Sequence, residues 1–255
     1  MKNLFDLSGK TALITGSSRG LGQSLALALA GAGVEVTLHG RDAAALAASA
    51  DLVAEISGRR PASVQFDVTE AGEVERVLGE LVAEHGVPDI LVNNAGIQRR
   101  APIAEFAISD WDAVIASNLS SVFYVSRFIV PGMIERGSGK IVNIASVQSK
   151  LARQTIAPYS ASKSGVASLS RGMAADLARH NIQVNTLSPG YFATEMNAAL
   201  VADADFTAWV QQRTPAQRWG QPEELHGTLL YLASAASDFV NGQNIFVDGG
   251  MTSVV

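Results

Sequence analysis

Thr11-Ala12-Leu13-Ile14-Thr15-Gly16-Ser17-Ser18-Arg19-Gly20-Leu21-Gly22 decides how this chain folds. A short apolar, β-branched run enters a glycine-rich turn, and residues 25–30 then open an apolar helix. Strand, turn and helix in that order make a pyrophosphate site. Glycines allow the tight turn and close backbone approach, while the helix N-terminus offers unpaired N–H groups and partial positive charge to the anion. Gly16, Ser17, Ser18, Arg19, Gly20, Leu21 and Gly22 are therefore candidate dinucleotide contacts. The spacing is G-x-x-x-G-x-G, and for this stretch alone a purely structural glycine turn is the alternative.

Outward from that turn the same alternation repeats. Strands are expected over 11–15, 34–38, 63–66, 90–93, 140–144, 183–187 and 244–247, and helices over 21–31, 42–57, 70–85, 109–135, 159–180 and 222–233. Pro131 and Gly132 should end or kink the fourth helix. Strands alternating with helices imply parallel pairing through crossovers, so the fold class is α/β, a doubly wound parallel seven-stranded sheet with helices on both faces. No linker, repeat or low-complexity tract divides residues 1–255, which are read as one domain.

The second strand ends in His39-Gly40-Arg41. Where an acid would hydrogen-bond the ribose 2′-OH of NAD, Gly40 stands instead, and Arg41 and Arg19 suit a 2′-phosphate. NADP(H) is thus expected in preference to NAD(H). Arg41 is alternatively a surface charge engaged by Asp42.

Tyr159-Ser160-Ala161-Ser162-Lys163 heads a long helical stretch. An i, i+4 spacing stacks Tyr159 and Lys163 on one face, where an ammonium favours the phenolate and lets the phenol exchange a proton with a substrate oxygen. Ser146 ends the strand thirteen residues earlier, where ligands of doubly wound sheets bind, and its hydroxyl can donate to a carbonyl as charge develops. Asn93-Asn94-Ala95-Gly96 ends another strand in the same way. Asn118, inside an otherwise apolar helical stretch, reads in isolation as a satisfied structural residue.

The formal charge of −5 argues against nucleic-acid binding. The absence of cysteine removes disulfides, thiolate metal sites and thiol nucleophiles, and fits a reducing cytoplasm. No metal is expected, since His39, His85, His180 and His226 have no ligand spacing. The uncharged run over 21–34 is too short for a membrane span, so no membrane association is expected.

TGSSRGLG, the NNAG of Asn93 to Gly96, Asn118, Ser146, YSASK and Ser188-Pro189-Gly190 together resemble the short-chain dehydrogenase/reductase family along essentially the whole chain. The resemblance implies a Rossmann fold with strand order 3-2-1-4-5-6-7 and a homo-oligomer, usually a tetramer. It implies Tyr159 as general acid/base, Lys163 as the group that lowers its pKa and holds the nicotinamide ribose, Ser146 as carbonyl-orienting and Asn118 as support for a proton-relaying water. Asp67 and Val68 would contact adenine; Asn94, Ala95 and Gly96 would line the cofactor; Pro189, Gly190, Phe192 and Thr194 would cover nicotinamide and pyrophosphate.

Within the family, the stretches over 96–100, 178–185, 189–196, 206–209, 213–220 and 237–242 resemble the branch acting on gluconate and related sugar acids. A carboxylate needs a cation, and Arg99, Arg100 and Arg153, with Gln148, fall where substrate should rest. Each arginine alone could equally serve an oligomer contact or solvent. The segment 191–219, with Phe192, Phe206, Trp209 and Trp219 and few regular-structure cues, is expected to be a mobile lid, although its aromatics suit ordinary packing too. A 5-dehydrogenase acting on 2-dehydro-3-deoxy-D-gluconate is the nearest competing reading, followed by a 3-oxoacyl-carrier-protein reductase and a non-catalytic NADP-binding regulator.

Overall fold

The computed structural model describes residues 3–254. Its centre is a seven-stranded parallel sheet in the order β3-β2-β1-β4-β5-β6-β7, the order implied by the family resemblance. The strands are β1 Thr11–Ile14, β2 Glu35–Gly40, β3 Ala62–Gln65, β4 Ile90–Asn93, β5 Gly139–Ile144, β6 Ile182–Pro189 and β7 Asn244–Val247. Crossovers run through α1 Gly20–Gly31, α2 Ala43–Ser57, α3 Ala71–His85, α4 Ile108–Ile115, α5 Ser121–Arg136, α6 Ala157–Leu177, α7 Ala198–Ala202, α8 Ala204–Arg213 and α9 His226–Ala233.

Side chains alternate across each strand and so feed two cores. Ala12, Ile14, Ile90 and Val92 pack on one face with Leu25 and Leu29 of α1, Val53 of α2 and Leu229 of α9. Leu13 and Leu91 pack on the other with Leu78 of α3, Ile129 of α5 and Leu177 of α6. Coverage on both faces is why these strands read as nearly continuous apolar runs. Strand order reverses between β1 and β4, which opens a crevice beyond their carboxyl ends.

Three expectations are corrected. The helix expected over 109–135 is interrupted not at Pro131 but at Ala116–Ser120, a π-helical turn between α4 and α5, and the chain stays helical through Pro131 to Arg136 before Gly137 closes it at φ 70°. Segment 191–219 contains α7 and α8, so it is more regular than its composition suggested. The run over 21–34 is not the most span-like stretch: Ile108–Arg136 is long and apolar enough to cross a membrane by length and composition. Its inner side, Val122, Val125, Ile129 and Met133, is buried in the body of the protein.

Candidate active site

The glycine turn is locked to its neighbours before any ligand is considered. Gly16 has φ 64°, and a Cβ on it would sit 2.8 Å from Ala95 Cα; a Cβ on Gly22 would sit 2.2 Å from the Gly16 carbonyl oxygen. Asn94 Nδ2 donates to the Thr15 and Gly16 carbonyls at 3.1 and 2.9 Å. Thr15 Oγ1 accepts from the N–H groups of Asn94 and Ala95. From below, His39 Nδ1 accepts the Gly16 N–H at 3.0 Å. That assigns the ring proton to Nε2, which donates to the Phe66 carbonyl at 3.0 Å. Burial pushes the His39 imidazole down to about 4, against the opposing pull of that carbonyl. Ser17 Oγ donates to the Ile14 carbonyl at 2.9 Å and is fully enclosed. Ser17 and His39, expected to touch cofactor, therefore have their polar side-chain atoms engaged by protein and support the loop from beneath.

Beside the loop, Gly40 has a steric reason to be glycine: a Cβ there would lie 2.9 Å from Ser18 Cβ. Arg41 donates to Asp67 Oδ2 at 2.9 Å rather than to Asp42, which caps α2 through Ala44 N and Ala45 N. Burial raises the Asp67 pKa, but the Thr69 N–H and hydroxyl and the Arg41 guanidinium outweigh it and hold the carboxyl below its ordinary value. Val68 is buried next to it. Arg19 is exposed at the head of α1, without a side-chain capping bond.

Across the crevice, Ser146, Tyr159 and Lys163 converge. Ser146 lies beyond the end of β5, 8% exposed, and caps a short turn by accepting the Gln148 N–H at 3.2 Å. Pro158 starts α6 without needing an N–H partner, and Tyr159 follows it and hydrogen-bonds Ser146. One turn on, Lys163 Nζ donates to the Ile144 carbonyl at 2.8 Å and lies 5.8 Å from the Tyr159 ring centroid. Burial raises the Tyr159 phenol above its usual value, and the Ser146 hydrogen bond opposes that rise. Burial lowers Lys163 to about 8. At the phenol the influence that opposes burial is the Ser146 hydroxyl, while the Lys163 ammonium donates to the Ile144 carbonyl.

Asn118 occupies the π-helical turn. Its Oδ1 accepts the Ile97 N–H at 2.7 Å, and its Nδ2 donates to the Ile97 carbonyl at 2.9 Å and to Ser162 Oγ at 3.1 Å. The turn thereby ties the loop after β4 to α6. Gly96 fits beneath, where a Cβ would be 3.0 Å from Asn118 Oδ1 and 3.8 Å from Lys163 Nζ.

The substrate candidates separate. Arg99 leans on Asp110 at 3.4 Å, whereas Arg100 donates to Gln98 Oε1 at 3.0 Å. Arg100 is eased below its ordinary pKa by burial and by the charge of Arg153. The Ala101 N–H donates to the Thr155 carbonyl at 3.1 Å, with Thr155 at φ 68°, and this bond ties the two arginine loops together. Arg153 lies over the Phe206 ring, 5.0 Å from its centroid. Tyr191, which sequence reasoning noticed only as the start of a lid, hydrogen-bonds Gln148 and has Phe206, Trp209 and Trp219 as ring neighbours at 5.8, 5.5 and 5.7 Å. Burial raises its phenol, while Arg153, Arg100 and Gln148 pull the other way. An aromatic next to Pro189-Gly190 was the available signal for it.

In the segment after β6, Gly190 is required by close approach, since a Cβ would lie 2.8 Å from Asp248 Cα. Phe192 is buried, and the Thr194 N–H donates to its carbonyl at 3.0 Å.

Residues 16–252 match the family model described as enoyl-(acyl carrier protein) reductase. The chain is 53% identical to gluconate 5-dehydrogenase of Gluconobacter oxydans (strain 621H), covering 98% of this chain and 97% of that one. It is 48% identical to 5-keto-D-gluconate 5-reductase of Escherichia coli (strain K12) over the full length of both. Among solved structures, a gluconate 5-dehydrogenase from Burkholderia cenocepacia J2315 in complex with NADP and tartrate superposes with a TM-score of 0.95 at 53% identity, covering 99% and 98% of the two chains.

Proposed function

The chain belongs to the short-chain dehydrogenase/reductase family, and from that premise we propose that it is an NADP(H)-dependent gluconate 5-dehydrogenase, interconverting D-gluconate and 5-dehydro-D-gluconate. One observation carries the reading: Tyr191 is within electrostatic reach both of Tyr159, itself hydrogen-bonded to Ser146, and of Arg100 and Arg153, and neither arginine has a carboxylate partner among the described residues. A sugar acid supplies both the oxygen for the first pair and the anion for the second. An acyl thioester would bring no carboxylate to the arginines.

The glycine turn fits a dinucleotide, because the spaces at Gly16 and Gly22 are ones a Cβ would fill and the α1 N-terminus opens onto them. Gly16, Ser18, Gly20, Leu21 and Gly22 would hold the pyrophosphate, with Asp67 and Val68 at adenine, Asn94, Ala95, Gly96, Pro189, Gly190 and Thr194 along the nicotinamide half, and Lys163 and Tyr159 at its ribose. Arg19 and Arg41 favour a 2′-phosphate over a free 2′-hydroxyl, and Gly40 leaves no room for the acid that would choose NAD. The cofactor, when bound, would accept the hydride as NADP+ in oxidation and supply it as NADPH in reduction.

The protein's own part is proton handling and orientation. Tyr159 takes the C5 hydroxyl proton in oxidation and returns one in reduction, while Ser146 donates to the same oxygen and fixes its direction. Lys163, charged below about 8, provides positive charge at the ribose and the phenol. Asn118, held by Ile97 and Ser162, supports the water through which protons reach solvent. Helices α7 and α8 form the lid that excludes water over 191–219. The active assembly is a homo-oligomer, a tetramer by family resemblance, joined in part through the exposed apolar face of α4, α5 and α6, where Trp111, Phe123 and Leu169 lie.

The test is nicotinamide absorbance with D-gluconate plus NADP and with 5-dehydro-D-gluconate plus NADPH, beside acetoacetyl thioester and the NAD(H) pair. Turnover of the sugar acids with NADP(H) and none of the thioester is expected. An enzyme that leaves a panel of sugar acids untouched rules the assignment out.

A further inference from the structure

We propose that Arg153 is the specificity-determining residue that separates a substrate ending in a carboxylate from one ending in a neutral group, and that it does so by joining the carboxylate to α8 through Phe206. The inference rests on the sugar-acid reading above and deepens it.

The two arginines at this site are not equivalent. Arg100 is exposed and spends one guanidinium nitrogen on Gln98. Arg153 is half-buried, and its Nε is enclosed with no hydrogen-bond partner among the described residues. Gln148, 6% exposed, shares Tyr191 with it as a neighbour and hydrogen-bonds that residue, while its enclosed Oε1 is likewise unpartnered among the described residues. A buried donor and a buried acceptor without partners, both next to Tyr191, are groups that a bound molecule can satisfy. The donor suits an anion, the acceptor a hydroxyl. A molecule offering both is a polyhydroxy monocarboxylate, with its reacting carbon at Ser146 and Tyr159.

The backbone holds this arrangement under strain. Thr155, a β-branched residue, adopts φ 68°, and its carbonyl receives the Ala101 N–H that binds the Arg100 loop to the Arg153 loop. Two guanidiniums are thereby kept within mutual influence, and among the described residues neither has an ion-pair partner. An arriving carboxylate removes the repulsion, whereas a neutral terminus does not.

Phe206 connects this charge balance to the lid. Its ring lies under the Arg153 guanidinium and also has Tyr191, Trp209 and Trp219 as ring neighbours. The ring face attracts the cation but cannot satisfy an N–H in the guanidinium plane. A carboxylate bound in that plane leaves the stacking intact and fixes Arg153, and with it α8. Neutral substrates leave Arg153 free to move and the helix undamped.

D-Gluconate and D-glucitol share a carbon skeleton and differ at one end, carboxylate against CH₂OH, which makes them the probe pair. Both are measured with NADP on the wild-type enzyme and on Arg153→Met, Arg153→Lys and Phe206→Leu, as kcat/KM or, where turnover is absent, as inhibition constants. Loss of one charge-assisted contact predicts about a 10- to 100-fold fall in kcat/KM for gluconate in Arg153→Met, with glucitol unchanged. Arg153→Lys should recover part of the preference. The second readout is tryptophan fluorescence of the NADP-loaded enzyme: gluconate should change the emission of wild type but not of Arg153→Met, and Phe206→Leu should keep much of the gluconate preference while losing the signal.

Loss of both substrates together in folded Arg153→Met, or retention of the wild-type preference, overturns the proposal while leaving the function intact. Should the Met variant not fold, Arg153→Gln takes its place with the same criteria. A wild-type enzyme inert to gluconate sinks the functional reading and this one with it.

Discussion

At Tyr159 two opposed influences decide how readily the proton leaves: burial raises the phenol, and the Ser146 hydrogen bond lowers it. Removing the serine hydroxyl leaves burial unopposed, so Ser146→Ala should move the rising limb of the pH profile for alcohol oxidation to higher pH, as well as lowering its height. Measuring kcat/KM for gluconate across pH checks the direction, and an unmoved or acid-shifted limb contradicts it. Gly40 shows a different kind of residue effect. From sequence its importance looked electrostatic, an acid missing where NAD would want one; in three dimensions the Ser18 side chain already fills the space. Gly40→Asp should therefore destabilise the protein by about 1–3 kcal/mol through overpacking and fail to convert it to NAD, which thermal unfolding and kinetics with both cofactors will read. The Ser146, Tyr159 and Lys163 positions were legible because strand ends and helical spacing fix direction. The partners of Arg41 and Arg153 were not, because Asp67 and Phe206 lie far along the chain and only the tertiary fold brings them near.

At the scale of elements, periodicity carried the strands and long helices but not the places where the backbone departs from its period. The π-helical turn at Ala116–Ser120 is one. An extra residue in a helical turn leaves no compositional mark, and it is this turn that brings both amide atoms of Asn118 to Ile97. Pro131 pointed the other way, to a break, yet α5 continues through it because its neighbours pack on a buried stripe of Val125, Ile129 and Met133. Helices α7 and α8 were missed because they are short and only weakly amphipathic, with Val210 alone buried in α8. What holds α8 is Trp219, 7% exposed, whose indole N–H donates to Thr207 Oγ1 at 3.1 Å. Trp219→Phe removes that bond and keeps most of the packing, a loss of about 1 kcal/mol. Trypsin should then cut faster at Arg213 or Arg218, with the gluconate KM raised and NADP affinity little changed. Equal cleavage rates in the two proteins would show that this bond does not restrain the lid.

At the scale of the whole molecule, the parallel sheet and its two-sided core followed from alternation, the strand order from the family resemblance, while the exposed surface carried a signal that composition blurred. His39 links stability to pH: neutral in the folded state down to about 4, it gains a proton near 6.5 once unfolded. Its share of stability is full above that higher value, declines as pH falls between the two and is then gone, a loss of about 3 kcal/mol. His39→Asn should flatten the fall in melting temperature over that window. The segment Ile108–Arg136 poses the larger question, since it is apolar enough to span a membrane while only 39% of its most apolar window is buried. Its inner stripe is accounted for by the core. Its outer face is not: Trp111 and Phe123 are 43% and 51% exposed, and a groove lined by Leu119, Phe123, Tyr124 and Leu169 runs between α5 and α6. Contiguous apolar surface of this kind on a folded protein is stabilised by covering it, and in a homo-oligomer the same face on a second copy can do so. Phe123→Glu places a charge at the middle of that face and leaves the core stripe untouched. Light scattering should report a smaller assembly than wild type, with circular dichroism unchanged; a variant of undiminished mass would remove this face from the subunit contact and leave its apolarity to be explained by something other than self-association.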